Sequence, residues 1–160
     1  MADQKALVVY YSRTGNTRKI AGHIAEELGA RLEQVVDINA RPGIWGFFRA
    51  GMHARSKRLT HIQKLQYRPR DYDLVIVGTP VWAWTMTPGI RTYLERHKDT
   101  LPEKMAFFAT AGGGALDKTL DEMARVSERE PVATLGLTAK QVHDDAFEEQ
   151  LREFLDTLRE

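Results

Sequence analysis

The sequence predicts a doubly wound α/β fold, a three-layer sandwich in which a parallel sheet lies between two layers of helices. Short, nearly continuous apolar segments recur along the chain, as expected of strands buried on both faces. Segments with helical spacing of apolar residues separate them, so strand and helix alternate. No internal repeat, low-complexity tract or Pro/Ser-rich linker interrupts the 160 residues, which predicts one domain over residues 1–160.

Five segments are predicted as strands. Residues 5–11, 72–78 and 104–110 are apolar almost throughout, whereas residues 32–38 and 131–137 are weaker candidates of the same type. Between them, four apolar stripes predict helices, with Gly29 placed to end the first and Thr87-Pro88 placed to begin the second. We interpret the stripes as core. They comprise Ile20, Ala21, Ile24, Ala25 and Leu28; Ile90, Tyr93 and Leu94; Leu116, Leu120, Met123 and Ala124; and Phe147, Leu151, Phe154, Leu155 and Leu158.

Composition excludes several classes of function. The chain has no cysteine, which excludes disulfides, thiolate metal sites and cysteine nucleophiles. Its five histidines form no HxxxH or HExxH pair, so no metal site is predicted. The longest early apolar stretch, residues 6–11, is too short for a signal-peptide core or a membrane span, and the expected location is the cytoplasm.

A net charge of +1 conceals an asymmetry. Residues 38–70, the basic segment, contain eight basic residues and no acidic one, while the remainder holds 15 basic and 22 acidic residues. Such a split predicts either a basic surface for an anionic partner or an ordinary solvated loop. Within it, Ile44, Phe47, Phe48 and Met52 would share one helical face, which suits a crossover helix or, alternatively, a lid or docking surface for NAD(P)H, a quinone or an acidic protein. No motif supports nucleic-acid binding.

A strand-to-helix turn follows the first predicted strand. This phosphate turn, residues 12–17, carries hydroxyls, an amide and one glycine but no carboxylate; it consists of Ser12, Arg13, Thr14, Gly15, Asn16 and Thr17. The start of a helix presents unpaired N–H groups and partial positive charge, which bind anions. Simple capping by one residue is the alternative. The GxxxxGK[ST] and GxGxxG patterns are both missing, so a monophosphate ester fits better than a triphosphate or a dinucleotide.

Two further segments follow predicted strands and would reach the same sheet edge. After the third strand come Pro80, Val81, Trp82, Ala83 and Trp84; two tryptophans here predict an aromatic wall for a planar ligand, unless one of them packs into the core. After the fourth strand comes the glycine loop, residues 110–115, with Ala111, Gly112 and Gly113. Its three consecutive glycines permit unusual backbone angles and close approach of a flat ligand, or else form a flexible connector.

These motifs resemble the flavodoxin-like FMN proteins over nearly the whole chain. The phosphate turn is similar to the family's [ST]-x-T-G-x-T fingerprint, and residues 78–94 resemble the second flavin loop and following helix of short-chain bacterial members. The resemblance implies strand order 2-1-3-4-5 and noncovalent FMN. It places the phosphate on Ser12, Thr14, Gly15, Asn16 and Thr17. The isoalloxazine ring would lie between residues 80–84 and Ala111, Gly112 and Gly113.

The departures from that family concern charge. Its electron carriers are typically strongly acidic, whereas this chain is near neutral, and glycines replace their acidic or polar third loop. Both features favour a reductase that takes hydride from NAD(P)H or serves a quinone over a shuttle between redox proteins. In either case FMN carries the chemistry and no catalytic side chain is predicted.

Two other classes of function are weighed against this one. A flavin-binding module without turnover, docking an anionic partner through the basic segment, is the alternative prediction. A phospho-receiver is excluded because the required acidic residues are absent after the first and third strands, and Ser12 lacks the GxSxG setting of a hydrolase nucleophile.

Overall fold

The computed structural model describes residues 3–39 and 59–160, which form a parallel sheet covered by helices on both faces. Its main strands lie in the order β2-β1-β3-β5-β6, all parallel, so the predicted five-stranded sheet and its order are confirmed. A sixth, two-residue strand, β4, pairs antiparallel with the outer end of β3. The strands are β1 Ala6–Tyr10, β2 Arg31–Gln34, β3 Leu74–Trp82, β4 Thr85–Met86, β5 Lys104–Ala111 and β6 Ala133–Thr138.

The helices separate into two layers through the alternation of strand side chains. On β1, Val8 points to a core shared with α1 and α5, whereas Val9 points to a core shared with α2 and α3. Each fully buried aliphatic side chain contributes about 1.5–3 kcal/mol. The helices are α1 Asn16–Leu28, α2 Pro88–His97, α3 Leu116–Ser127, α4 Ala139–His143 and α5 Glu148–Arg159, with a short 3-10 turn at Pro69–Asp71.

Two predicted helix ends are confirmed. Gly29 ends α1 with a φ of 61°, and the following N–H of Ala30 bonds the carbonyl of Ala25 at 2.9 Å. Thr87 caps α2 by accepting a hydrogen bond from the Ile90 N–H, and Pro88 occupies the first helical position. Helix α4 was not predicted, because it has only five residues and a capping box between Thr138 and Gln141 in place of an apolar stripe.

The second strand differs from its prediction over residues 32–38. Strand β2 ends at Gln34, after which Asp37 forms an antiparallel bridge with Ile62. Ile38 and Gln63 donate backbone hydrogen bonds across this bridge at 2.9 Å. The segment predicted as one strand therefore pairs with β1 in its first half and with the residues around Ile62 in its second half. Most of the basic segment, including the predicted helix at residues 44–52, lies outside the described residues.

Candidate functional site

Three connections meet at the carboxyl edge of the sheet. The end of β1 lies beside β3 through the pair Tyr10 and Gly78, and β3 lies beside β5 through the pair Pro80 and Thr110. The phosphate turn, the tryptophan-bearing segment and the glycine loop leave these three adjacent strands. The sequence prediction that they share one edge is confirmed by this register.

The phosphate turn leaves the start of α1 open. Gly15 stands at the N-cap position with a φ of 102°, which only glycine adopts readily, and among residues 3–39 and 59–160 no side chain caps the helix. The first helical turn contains no acidic residue. Ser12 Oγ accepts a hydrogen bond from the Gly15 N–H at 3.1 Å, and its own proton stays available as a donor. The remaining N–H groups and the helix dipole therefore present positive potential at this turn.

The side chains of the phosphate turn differ in their solvent exposure. Thr14 is exposed, Ser12 and Asn16 are partly exposed, and Thr17 is 1% exposed. The Thr17 hydroxyl shares a buried hydrogen bond of 2.9 Å with the hydroxyl of Thr110, which begins the glycine loop. Thr17 therefore ties two of the three connections together. Sequence reasoning missed Thr110, because the contact joins residues 93 positions apart.

The segment predicted as a tryptophan loop is a hairpin. Pro80, Val81 and Trp82 extend β3, and Val81 and Trp82 pair with Met86 and Thr85 of β4. We call residues 81–86 the tryptophan hairpin. Its two-residue turn places Ala83 and Trp84 at φ 48° and 66°, as a type I′ turn requires. Non-glycine residues pay about 1–2 kcal/mol each for such angles.

The two tryptophans have different surroundings. Trp82 is partly buried, with its ring 5.1 Å from that of Tyr11 in an edge-to-face contact and 5.9 Å from the Arg13 guanidinium carbon. Trp84 is 63% exposed at the tip of the turn. The core alternative is thus excluded for Trp84, and neither ring is fully enclosed.

Tyr11 joins the phosphate turn to the tryptophan hairpin. It is 7% exposed, and its ring also lies against Gly89 at the start of α2. Burial raises the pKa of its phenol, with a further increase from Asp37 that Arg13 opposes. The hydroxyl is therefore neutral at physiological pH. Sequence reasoning counted Tyr11 only as the end of a strand; a phenol directly before the turn was the available signal.

The glycine loop differs from its prediction in conformation. None of Gly112, Gly113 and Gly114 has a left-handed φ, and it is Ala115 that adopts one, at 70°. All three glycines are exposed, and a Cβ added to any of them would meet no atom of the described residues within 4 Å. A left-handed φ therefore does not explain these glycines, and neither does packing against the part of the chain that the structure describes. Open space over a bare backbone fits the second predicted reason, close approach of a flat ligand.

The described basic residues of the basic segment are exposed. Lys64, Arg68 and Arg70 all lie on the surface, and Arg68 pairs with Asp71 at 3.1 Å. The other five basic residues lie outside the described ranges. No helix within residues 3–39 and 59–160 combines the length and apolar character that crossing a bilayer needs.

Comparison with known proteins identifies the family and the fold. The sequence model of the family described as NADPH-dependent FMN reductase matches residues 5–127. Among solved structures, a Lactobacillus acidophilus flavoprotein in complex with FMN is 22% identical, with a TM-score of 0.72 over 93% of this chain and 99% of that one. A putative flavoprotein from Bacteroides eggerthii is 22% identical, with a TM-score of 0.70 over 94% and 98%. Megasphaera elsdenii flavodoxin is 15% identical, with a TM-score of 0.53 over 82% and 85%. At these identities the structural likenesses show the fold, which is flavodoxin-like.

Proposed function

Because the chain belongs to the NADPH-dependent FMN reductase family, we propose that it is an FMN-binding oxidoreductase that takes reducing equivalents from NAD(P)H. FMN is the cofactor, in agreement with the family and with the flavodoxin-like fold. We further propose that residues 1–160 act as one domain, which is supported by the packing of α5 at the end of the chain against the same core as β1.

The observation that carries the proposal is the open start of α1. A helix that begins without a side-chain cap and without an acidic residue leaves its first N–H groups to water or to an external anion, and a phosphate monoester is such an anion. Ser12, Thr14, Gly15 and Asn16 would hold it through the N–H groups that remain open at this turn and through side chains that are exposed or partly exposed. The Thr17 side chain would support the phosphate turn from inside the protein, because its hydroxyl is buried against Thr110.

The ring of FMN fits the two other connections. Trp84 offers an exposed indole, and Trp82 with Tyr11 forms the wall beside it. Gly112 and Gly113 offer an exposed backbone surface, where no described residue lies within 4 Å of a Cβ position, and Ala111, which is 5% exposed, would support the ring from the end of β5. Arg13 would lie on the Trp82 side of the phosphate turn.

Bound FMN would supply the redox chemistry, as the group that accepts hydride or electrons. The chain's part is then to bind the phosphate, to orient the ring and to exclude water from one of its faces. No side-chain acid or base is required for this. Of the histidines in the helices, His143 is exposed in α4, whereas His97 is half-buried against Tyr93, and burial lowers its pKa.

Anaerobic stopped-flow spectroscopy tests the activity. The purified protein is loaded with FMN and mixed with NADPH or NADH, and flavin absorbance is followed. Rapid bleaching by either nicotinamide supports the reductase. A protein that binds FMN and is reduced by dithionite but by neither nicotinamide would contradict it and favour a shuttle or a flavin-binding module that docks through the basic segment. A protein that takes up no FMN would contradict the whole proposal.

A further inference from the structure

A buried ion pair lies directly behind the tryptophan hairpin. Arg91 of α2 and Glu122 of α3 are 6% and 5% exposed, and the Arg91 Nη2 donates to Glu122 Oε1. Arg125 approaches the other carboxylate oxygen at 3.7 Å. Such a pair is weak evidence of stability, because apolar residues of the same volume often stabilise a protein as well or better. Its presence therefore requires another explanation.

The pair extends to the hairpin through one hydroxyl. Thr85 of β4 is 3% exposed and donates its Oγ1 proton to the same Glu122 oxygen, while Arg91 Nη2 donates to Thr85 Oγ1 at 3.0 Å. We call these three residues the hairpin clamp. Thr85 is the residue that follows the strained turn and pairs with Trp82. The clamp therefore fixes the position of the strand that re-enters the protein immediately after Trp84.

The hairpin has a reason to need such a clamp. Strand β4 has only two residues, and its turn carries two non-glycine residues at left-handed angles. Backbone in such a conformation persists only when its surroundings over-determine it. Met86 is fully buried, and Thr87 donates its N–H to Thr79 Oγ1 at 3.2 Å, so the base of the hairpin has an apolar anchor and a second polar one. The clamp acts closest to the turn itself.

We propose that Thr85, Arg91 and Glu122 are positioning residues for FMN, which hold the turn at Ala83 and Trp84 in the conformation that receives the ring. This inference rests on the proposed function. None of the three is proposed to touch FMN; they act through the hairpin. Arg91 and Glu122 are buried, so they would affect FMN binding only through the conformation of the turn.

The central test replaces the Thr85 hydroxyl, which joins the pair to the hairpin. Thr85→Val should accelerate amide hydrogen exchange across residues 81–86 of the apo protein by about tenfold or more. It should also raise the dissociation constant for FMN about tenfold. Thr85→Ser keeps the hydroxyl and should restore both values to within about twofold of wild type. Exchange and affinity are compared well below the melting temperature of each variant, so that a lower global stability alone does not move them.

Thr119→Val is the matched control. Thr119 is fully buried on α3, and among the described residues its hydroxyl has no hydrogen-bond partner, so the same chemical change breaks no bond. It should leave exchange in the hairpin and FMN affinity unchanged. An equal loss in Thr119→Val and Thr85→Val would overturn the inference, because the effect would then come from any buried threonine.

A second variant keeps the test decisive if Thr85→Val does not fold. Arg91→Met combined with Glu122→Leu fills the same volume with apolar groups, a replacement that proteins often tolerate. The clamp predicts faster exchange at residues 81–86 and weaker FMN binding here too. Wild-type exchange and affinity, in this variant or in Thr85→Val, would overturn the inference while the proposed function stands. A wild-type protein that binds no FMN would overturn both.

Discussion

The tryptophan hairpin and the glycine loop use side chains in opposite ways. In the hairpin, Ala83 and Trp84 adopt left-handed angles at which glycine would be favoured. In the glycine loop, none of the three glycines has a left-handed φ, and no described residue lies within 4 Å of a Cβ built on any of them. In each region the residue type differs from the one that the backbone φ angles favour. The proposed flavin, with an indole on one side of its ring and bare backbone on the other, would account for both departures.

Gly78 provides the reference for a glycine that the protein itself requires. A Cβ at this position would lie 2.0 Å from Cζ of Phe108, whose ring fills the space. Gly78→Ala should lower the free energy of unfolding by about 3 kcal/mol, because a buried ring on β5 has to move. Chemical denaturation of the apo protein measures this. An unchanged unfolding free energy would show that the sheet yields easily at this point.

The glycine loop should respond in its ligand affinity and not in its stability. Gly113→Leu should weaken FMN binding about 100-fold, because the side chain would occupy the space proposed for the ring. Unfolding of the apo protein should hardly change, since a Cβ there meets no atom. Titration of the apo protein with FMN, followed by flavin fluorescence, gives the dissociation constant.

Gly114→Leu is the control for that variant. Gly114 has the same exposure and the same open surroundings, but it is not assigned to the site. It should bind FMN nearly as wild type does. If the two variants lose affinity equally, or if neither does, the glycines do not mark the ring position.

A substitution in the turn of the tryptophan hairpin should stabilise the apo protein and weaken FMN binding. Trp84→Gly should raise the unfolding free energy of the apo protein by about 1 kcal/mol, because glycine adopts a φ of 66° without steric cost. It should weaken FMN binding about fivefold through the loss of roughly 1 kcal/mol of stacking. Thermal unfolding and FMN titration of the same sample measure both quantities.

Glu128→Gly separates the two effects. Glu128 has a φ of 56° at the end of α3 and is exposed, so relief of its strain should raise stability to a similar degree. FMN affinity should not change. A loss of affinity in Glu128→Gly, or an unchanged affinity in Trp84→Gly, would contradict the assignment of Trp84 to the ring.

Gly22 gives the smallest expected effect. It lies within α1 with a helical backbone, and a Cβ would meet nothing within 4 Å. Gly22→Ala should raise the unfolding free energy by about 0.5–1 kcal/mol through helix propensity and leave FMN affinity unchanged. Weaker FMN binding in this variant would mean that open space beside a glycine is no guide to the site.

Local chemistry explains which parts of the fold could be predicted from the sequence. Strands β1, β3 and β5 were recognisable because both of their faces are buried over most of their length, whereas β2 and β6 are partly exposed and gave weaker patterns. Gly29 and Thr87-Pro88 mark helix ends through interactions with their own neighbours. The hairpin was missed because Ala83-Trp84 contains none of the residues that usually form a type I′ turn. The end of β2 was missed because Val35 and Ile38 stay apolar while the pairing partner changes.

The site shows the same division. The residues of the phosphate turn could be found because their motif is local. Two features depend on contacts between distant parts of the chain, namely the bond from Thr17 to Thr110 and the contact between Tyr11 and Trp82. No spacing rule encodes such contacts. The hairpin clamp could not be predicted from the sequence for the same reason, because its hydrogen bonds join Thr85 on one strand to residues on two helices.

The central claim is that the open start of α1 binds the phosphate of FMN, and one comparison tests it most directly. The apo protein is titrated with FMN and with riboflavin, which has the same ring without the phosphate. Charge-assisted hydrogen bonds from the N–H groups and hydroxyls of the phosphate turn should make FMN bind about 100-fold more tightly. Equal dissociation constants for the two flavins would contradict the claim.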